Sequence, residues 1–162
     1  MQNIDNKVAY ITGGTKGIGL GIAKALVENG VKVAISGRNI QAAEAAKQTL
    51  GSENVLVLQA DVRNFEDEVR AVEQIVTTFG KLDVVIANAG VGKFAPVDEL
   101  TLEDWNAMID TNLTGVFYTL KATVDQLKQN KGYYISMASL AGTNFFAQAA
   151  GYNASKFGVV GF

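Results

Sequence analysis

The 162-residue sequence contains no histidine and no cysteine. These absences exclude a Ser-His-Asp triad, a cysteine nucleophile, an imidazole base and a zinc site built from thiolate and imidazole ligands. Acid–base chemistry must therefore use tyrosine, lysine or carboxylate groups, and we expect no metal site. The lack of cysteine also excludes a disulfide framework, which fits a reducing compartment.

The sequence also lacks a block of basic residues and a long apolar run. A formal net charge of -2 gives no electrostatic footprint for nucleic acid or for an anionic membrane surface. Residues 1–7 are polar, unlike a signal peptide, and no apolar run approaches the roughly 18 residues of a membrane span. The sequence therefore predicts a cytoplasmic protein whose partners are small molecules, with no nucleic acid and no membrane.

The composition is that of one packed domain over residues 1–162. Hydrophobic residues make up 48% of the chain, and 17 glycines stand against a single proline. Short apolar runs with little polar interruption alternate with stretches of helical period, as in parallel sheets covered by helices on both faces. The predicted strands are Val8–Ile11, Val31–Ser36, Val55–Gln59, Val84–Ala87 and Tyr133–Ser136. We predict a doubly wound, Rossmann-like α/β sheet with its ligand crevice at the carboxyl ends of the strands.

Helix start signals support this alternation. Asn39 precedes residues 40–50, Asn64 precedes a helix that begins at Phe65, and Thr101 with Asp104 forms a capping-box pattern. Two apolar helix faces are predicted, one formed by Ile18, Ile22, Ala25 and Leu26 and the other by Phe65, Val69, Val72, Val76 and Phe79.

A glycine-rich loop follows the first predicted strand. It reads Thr12-Gly13-Gly14-Thr15-Lys16-Gly17-Ile18-Gly19 and leads into an amphipathic helix. Glycines let backbone N–H groups approach a pyrophosphate, which the positive end of the helix dipole attracts. The spacing lacks the Gly-Lys-Ser/Thr of a P-loop. The alternative is a glycine-rich turn that binds nothing.

The end of the second predicted strand indicates the cofactor. NAD-selective sites of this fold place a carboxylate about 20 residues beyond the loop to bind the ribose 2′-OH. Here that place reads Ser36-Gly37-Arg38, and Lys16 adds a second cation. Both cations can contact a 2′-phosphate, so the sequence favours NADP over NAD. The alternative is that both are solvated surface cations.

Further motifs occur in a characteristic order: Asp61-Val62, Asn88-Ala89-Gly90, Asn112 in an Asn-Leu-Thr-Gly run, Ser139, Tyr152 and Lys156. With the glycine loop, these residues resemble the short-chain dehydrogenase/reductase family over the whole chain, and most closely its 3-oxoacyl-carrier-protein reductases. The resemblance implies hydride transfer between a nicotinamide and a ketone or secondary alcohol. It also implies a catalytic tetrad of Asn112, Ser139, Tyr152 and Lys156.

The resemblance assigns further roles. Asp61 would accept a hydrogen bond from the adenine amino group, and Val62, Asn88, Ala89 and Gly90 would border the cofactor. Lys156 would bind the nicotinamide ribose beside Tyr152. Asn112 would disturb its helix and bind a water that connects Lys156 to solvent.

The central chemistry also follows from the residues. Tyr152 and Lys156 lie four residues apart in a predicted helix, so both side chains should point into one cleft. A nearby positive charge favours phenolate, so Tyr152 could exchange a proton with the substrate oxygen, and the Ser139 hydroxyl could hold that oxygen. The alternatives are structural: a common Tyr–Lys pair, a turn cap at Ser139, a helix kink at Asn112 and an N-terminal helix carboxylate at Asp61.

Members of this family normally continue through two further strands and a substrate-binding loop. We therefore expect a fragment with an incomplete second half of the fold; an incomplete listing of the sequence and a partner-stabilised half-domain are the alternatives. The second function class is a non-catalytic dinucleotide-binding or assembly module. By resemblance, the helices around Asn112 and Tyr152 would build a homotetramer or dimer in the full-length form.

Overall fold

The computed structural model describes residues 4–51 and 53–162; Met1–Asn3 of the polar N-terminal stretch and Ser52 lie outside the described residues. The strands are β1 (Val8–Thr12), β2 (Lys32–Gly37), β3 (Val55–Gln59), β4 (Val84–Ala87) and β5 (Tyr133–Ser136). The helices are α1 (Gly17–Glu28), α2 (Ile40–Leu50), α3 (Phe65–Phe79), α4 (Leu102–Ile109), α5 (Gly115–Asn130) and α6 (Ala150–Gly161). All five predicted strands are present, with boundaries that differ by at most one residue.

The five strands form one parallel sheet in the order β3-β2-β1-β4-β5. The strand order reverses between β1 and β4, so the loops that follow these two strands diverge and open a crevice at their carboxyl ends. The predicted doubly wound, Rossmann-like fold class is confirmed.

Helices cover both faces of the sheet, so every residue of β1 is buried. One core cluster joins Val8 and Tyr10 of β1 to Ile75 of α3 and Leu127 of α5. The second core cluster forms on the opposite face, where alternate β1 residues pack against α1 and α2. This two-sided burial explains why the strands contain few polar residues.

The N-terminal caps of α2, α3 and α4 are formed by the residues that the sequence predicts. The Asn39 side chain accepts a hydrogen bond from the N–H of Ala42, Asn64 accepts one from Glu66, and Thr101 accepts one from Asp104. These bonds satisfy N–H groups that lack an intrahelical partner in the first turn. The predicted starts of α2, α3 and α4 therefore agree with the structure.

The predicted helix faces are partly wrong. In α1, Ile18 is 67% exposed and Ala25 is also exposed, while Gly19 and Ala23 are the buried residues. Ile18 lies at the first turn, where the helix meets the crevice instead of the sheet. The buried residues of α1 therefore begin one residue later, at Gly19, which is enclosed by Asn88, Gly13 and Gly14.

The buried face of α3 is displaced from the predicted one in the same way. It is formed by Glu68, Ala71, Val72 and Ile75, whereas Phe65, Val69, Val76 and Phe79 are only partly buried. The predicted and the buried faces share Val72, and an apolar pattern does not select Glu68, because that residue carries a carboxyl group.

Candidate active site

The glycine loop reverses the chain between β1 and α1. Gly13 and Gly17 have φ angles of 64° and 55°, in the left-handed region that favours glycine. A Cβ atom at Gly19 would lie 2.5 Å from Asn88 Nδ2 and 2.6 Å from the Gly13 oxygen. The Lys16 side chain makes no capping bond to α1, which leaves the first-turn N–H groups available to an anion.

A cleft of about 480 Å³ lies over this loop at the carboxyl ends of the strands. Twelve of the predicted cofactor residues line it: Gly13, Thr15, Lys16, Gly17, Ile18, Gly19, Arg38, Asp61, Val62, Asn88, Ala89 and Gly90. The cleft is also lined by seven residues that the sequence did not single out as cofactor contacts: Ser36, Gly37, Asn39, Ala42, Ala60, Val91 and Thr111.

Thr12 occupies a different position from the other predicted cofactor residues. It is 1% exposed and is not one of the residues that line the cleft. Its Oγ1 accepts hydrogen bonds from the N–H groups of Asn88 at 3.0 Å and Ala89 at 3.1 Å. Asn88 Nδ2 in turn donates to the Thr12 and Gly13 oxygens at 2.9 and 3.2 Å. Thr12 therefore ties the glycine loop to the segment after β4.

Two exposed cations and one carboxylate line the cleft. Arg38 and Lys16 are exposed there. Asp61 accepts hydrogen bonds from Arg63, whose Nη2 lies 2.6 Å from Asp61 Oδ2. The Arg63 side chain holds the pKa of Asp61 below its ordinary value, so this carboxyl is ionised at neutral pH. The sequence did not identify Arg63 as its partner.

A second recess, of about 380 Å³, adjoins the cleft. The two share Ile18, Asn88, Gly90 and Val91 as lining residues. The recess is closed by residues from the loop after β4, the segment after β5 and α6: Gly92, Phe94, Met137, Ala138, Tyr152 and Lys156. Tyr152 and Lys156 are thus on the same side of α6, as their spacing predicts.

Lys156 is held in a defined position beside Tyr152. It is 5% exposed, and its Nζ donates a hydrogen bond to the Met137 oxygen at 2.6 Å. The same nitrogen lies 5.8 Å from the centroid of the Tyr152 ring, and the Phe94 ring packs against Tyr152 with a centroid distance of 5.7 Å. Burial lowers the pKa of Lys156 from its ordinary value.

Asn112 lies in a π-helical turn, Asp110–Thr114, that connects α4 to α5. It is fully buried, and its Oδ1 accepts a hydrogen bond from the Val91 N–H at 2.8 Å. Its Nδ2 donates to the Val91 oxygen at 2.9 Å and to Ser155 Oγ at 3.0 Å. Because Ser155 precedes Lys156, Asn112 connects the loop after β4 to the part of α6 that carries the lysine.

Ser139 follows β5 and begins a short 3₁₀ turn, Leu140–Gly142. Its Oγ accepts a hydrogen bond from the Ala141 N–H at 3.1 Å. Met137 and Ala138 line the recess, whereas Ser139 is not among its lining residues. The structure therefore shows directly the turn-capping role that was the alternative for Ser139, and its catalytic role stays a prediction.

Within residues 4–51 and 53–162, acidic side chains form no group of three that could bind a metal ion. Across the same ranges, no helix combines the length and hydropathy needed to cross a membrane.

Comparison with known proteins agrees with this geometry. The family model described as short chain dehydrogenase matches residues 7–162. An uncharacterised oxidoreductase of Staphylococcus haemolyticus is 30% identical over 161 residues, which cover 99% of this chain and 70% of the relative. The D-threitol dehydrogenase of Mycolicibacterium smegmatis is 36% identical over 161 residues, which cover 98% of this chain and 62% of that enzyme.

Two solved structures are similar to the whole described fold. An alcohol dehydrogenase from Thermococcus sibiricus complexed with 5-hydroxy-NADP has a TM-score of 0.89 and 35% identity, covering 94% of this chain and 66% of that chain. An NAD+-bound xylitol dehydrogenase has a TM-score of 0.93 and 33% identity, covering 99% of this chain and 63% of that chain. The chain spans 62% to 70% of the length of these relatives and structures. This chain belongs to the short-chain dehydrogenase family of nicotinamide-dependent oxidoreductases.

Proposed function

We propose that the protein transfers a hydride between NADP(H) and a ketone or secondary alcohol, with Tyr152 as the general acid and base. The observation that supports this most directly is the adjacency of the two cavities. The cleft over the glycine loop adjoins the recess that is lined by Tyr152 and Lys156, and the two share the lining residues Ile18, Asn88, Gly90 and Val91.

The residues present suit a dinucleotide. The left-handed glycines and the N-terminus of α1 would provide backbone donors for the pyrophosphate. Arg38 and Asp61, which line the cleft, would bind the adenosine part, and Lys156, which lines the recess, would bind the nicotinamide part. When bound, the nicotinamide supplies or accepts the hydride.

Tyr152 transfers the proton that accompanies the hydride. In the reducing direction its hydroxyl donates to the oxygen of the carbonyl group, and in the oxidising direction its phenolate removes the proton of the alcohol. The ammonium of Lys156 lies 5.8 Å from the centroid of the Tyr152 ring, which makes it the cation beside the proposed general acid. Its hydrogen bond to the Met137 oxygen fixes the ammonium in this place.

Ser139 and Asn112 complete the proposed tetrad in supporting roles. Ser139 would hold the substrate oxygen with its hydroxyl hydrogen, since the hydrogen bond from Ala141 occupies only a lone pair. Asn112 would keep α6 in register with the loop after β4 and help to connect Lys156 to solvent.

We also propose that Arg38 makes the cleft prefer NADP. Replacing Arg38 with alanine should weaken NADP binding by roughly tenfold, because one charge-assisted hydrogen bond to the 2′-phosphate is lost. NAD affinity should change by less than about twofold, because its 2′-OH carries no charge. Calorimetric titration of both dinucleotides measures this. Lys24→Ala is the control, because Lys24 is an exposed cation of α1 outside the cleft. Equal losses for both dinucleotides would contradict the proposed role of Arg38.

The proposed reaction is tested by mixing the protein with NADPH and a carbonyl compound and following the loss of nicotinamide absorbance. Oxidation of NADPH that depends on the carbonyl compound is expected. A 3-oxoacyl thioester and a keto sugar should be compared, since the motifs resemble 3-oxoacyl reductases while similar proteins include threitol and xylitol dehydrogenases. NADPH binding without turnover on any carbonyl compound would instead favour the non-catalytic dinucleotide-binding module.

A further inference from the structure

Asn153 is a polar residue directly after Tyr152 that the proposed reaction does not use. It lies in α6 and is partly buried. Its Nδ2 donates a hydrogen bond to the Phe146 oxygen at 2.9 Å, and its Oδ1 accepts one from the Phe146 N–H at 3.3 Å. Making both bonds requires one donor and one acceptor, which the amide group of asparagine supplies together. We call this pair of bonds the Asn153 clamp.

The Asn153 clamp holds the segment that leads into α6, residues 146–148, which we call the clamped segment. Core packing does not hold this part of the chain, since Phe145 is 85% exposed and Phe146 is 51% exposed. Gln148 has a φ angle of 60°, in the left-handed region that residues other than glycine rarely adopt. Such a backbone conformation persists only where surrounding contacts hold it, and the clamp is one of these contacts.

The clamped segment is bonded to the loop after β4. The Gln148 oxygen accepts a hydrogen bond from the Ala95 N–H at 2.9 Å. On the other side of Phe94, the Lys93 N–H donates to the sulfur of Met108, a buried residue of α4, at 3.4 Å. Phe94 therefore lies between two anchored neighbours, and one of the two anchors is the clamped segment.

The ring of Phe94 forms one wall of the recess beside Tyr152. It lines the recess and is 64% exposed, and its centroid lies 5.7 Å from that of the Tyr152 ring. Gly92 leaves room for this arrangement, because a Cβ atom there would lie 3.2 Å from two atoms of the Phe94 ring and 3.6 Å from Tyr152 Cδ2. A molecule bound at Tyr152 would thus meet an aromatic surface on this side.

The recess offers few free polar groups to a substrate rich in hydroxyls. Among the described residues that line it, none is acidic. Asn88 Nδ2 and Lys156 Nζ line it, but both already donate hydrogen bonds to backbone oxygens. An apolar substituent would gain from burial against Phe94, whereas a hydroxyl there would lose its bonds to water.

We propose that Asn153 is a positioning residue, which acts through the clamped segment to keep the Phe94 ring beside Tyr152. Phe94 then determines specificity, because it favours carbonyl compounds with an apolar substituent next to the reacting carbon. This inference rests on the proposed function and deepens it by naming the substrate class.

The experiment compares acetophenone, an aromatic ketone, with erythrulose, a ketone rich in hydroxyls. The values of kcat and KM for their reduction by NADPH are measured for the wild type, Asn153→Ala, Phe94→Ala, the double variant and Asn144→Ala. Asn144→Ala is the matched control, because Asn144 is an exposed asparagine of the same connection whose side chain donates to the neighbouring Thr143 hydroxyl.

The wild type should have a higher kcat/KM for acetophenone than for erythrulose, by roughly tenfold, because only the aromatic ketone buries an apolar group against Phe94. Asn153→Ala and Phe94→Ala should each raise the KM for acetophenone by roughly three- to tenfold, the equivalent of one aromatic contact. The kcat, the KM for erythrulose and the affinity for NADPH should change by less than about twofold, since a binding contact alone is lost. The double variant should resemble Phe94→Ala, because Asn153 acts through that ring.

Cleavage by chymotrypsin, which cuts after accessible aromatic residues, tests the Asn153 clamp without turnover. Phe145 and Phe146 are exposed, so cleavage after them depends on how often this part of the chain opens. Loss of both bonds in Asn153→Ala should speed this cleavage by roughly tenfold relative to the wild type and Asn144→Ala.

The outcomes separate this inference from the function on which it rests. Additive effects of the two single variants on the KM for acetophenone, equal effects on both ketones, or unchanged cleavage would overturn the role of Asn153 and leave the proposed function intact. A wild type that reduces no carbonyl compound would overturn both. If Asn153→Ala does not fold, Asn153→Asp takes its place, because an ionised carboxyl keeps the acceptor of the clamp and loses its donor.

Discussion

Replacing Tyr152 with phenylalanine should lower the rate of carbonyl reduction by roughly 10²–10⁴-fold, the usual contribution of a positioned general acid. The substitution removes one oxygen atom and keeps the ring that packs against Phe94. Dinucleotide affinity should stay within about threefold of the wild-type value, since at most one hydrogen bond is lost. Steady-state NADPH oxidation and calorimetric NADPH binding provide the two measurements.

Tyr133→Phe is the matched control for this prediction. Tyr133 belongs to β5, is 64% exposed and does not line the recess. Its substitution should leave both the rate and the affinity unchanged. Turnover by Tyr152→Phe at the wild-type rate would show that another group transfers the proton, and the proposed role of Tyr152 would be wrong.

Much of the fold could be predicted because its signals are local. Burial on both faces makes each strand a short apolar run, so the positions of β1 to β5 could be read almost to the residue. The capping side chains of Asn39, Asn64 and Thr101 act within three residues of their own positions. Such contacts need no knowledge of the tertiary structure.

The helix faces were harder to predict because they depend on what each helix contacts. An isoleucine at position 18 fits an apolar face by periodicity, yet the first turn of α1 borders the cleft. Glu68 is polar and is therefore absent from the predicted apolar face of α3, although its side chain is buried. Its partner Tyr10 is 58 residues away in the chain, and no local pattern indicates that pairing.

The candidate site likewise contains some features that local sequence signals predict and others that depend on the tertiary structure. The glycine loop and the Tyr152–Lys156 pair have short, fixed spacings, and the structure places them at two cavities that adjoin each other. Phe94 and Met137 reach the recess from separate loops, so their presence follows only from the tertiary fold. Thr12 is the opposite case. The motif predicts a contact between Thr12 and the cofactor, but its Oγ1 accepts hydrogen bonds from the N–H groups of Asn88 and Ala89.

The second large expected effect is a pH dependence of the free energy of unfolding that results from the titration of Glu68. Its pKa is about 7 in the folded protein against an ordinary value of 4.5. The folded state therefore binds this proton more tightly than the unfolded chain does, and stability is lost as the proton dissociates. The contribution of this proton to the free energy of unfolding is fully present below about pH 4.5 and falls as the pH rises toward about 7. Above that range the contribution is lost and the stability no longer changes with the titration of Glu68. Its full size is about 3 kcal/mol.

Glu68→Gln removes this titration while keeping a similar shape. We expect the free energy of unfolding of the wild type, minus that of Glu68→Gln, to decrease by about 3 kcal/mol between pH 4.5 and pH 8. Urea unfolding at a series of pH values gives both quantities. The subtraction is needed because Asp61 and Asp83 have pKa values below their ordinary ones, so their contributions are present at neutral pH and are lost as the pH falls.

Glu73→Gln serves as the control, since the substitution of an exposed carboxyl on the same helix should leave the pH profile unchanged. A difference between wild type and Glu68→Gln that stays constant from pH 4.5 to pH 8 would mean that Glu68 does not titrate in this range. A difference that increases with pH would mean that its charged form is stabilised in the fold. Either result would contradict the burial of an unpaired carboxyl oxygen as the main influence on Glu68.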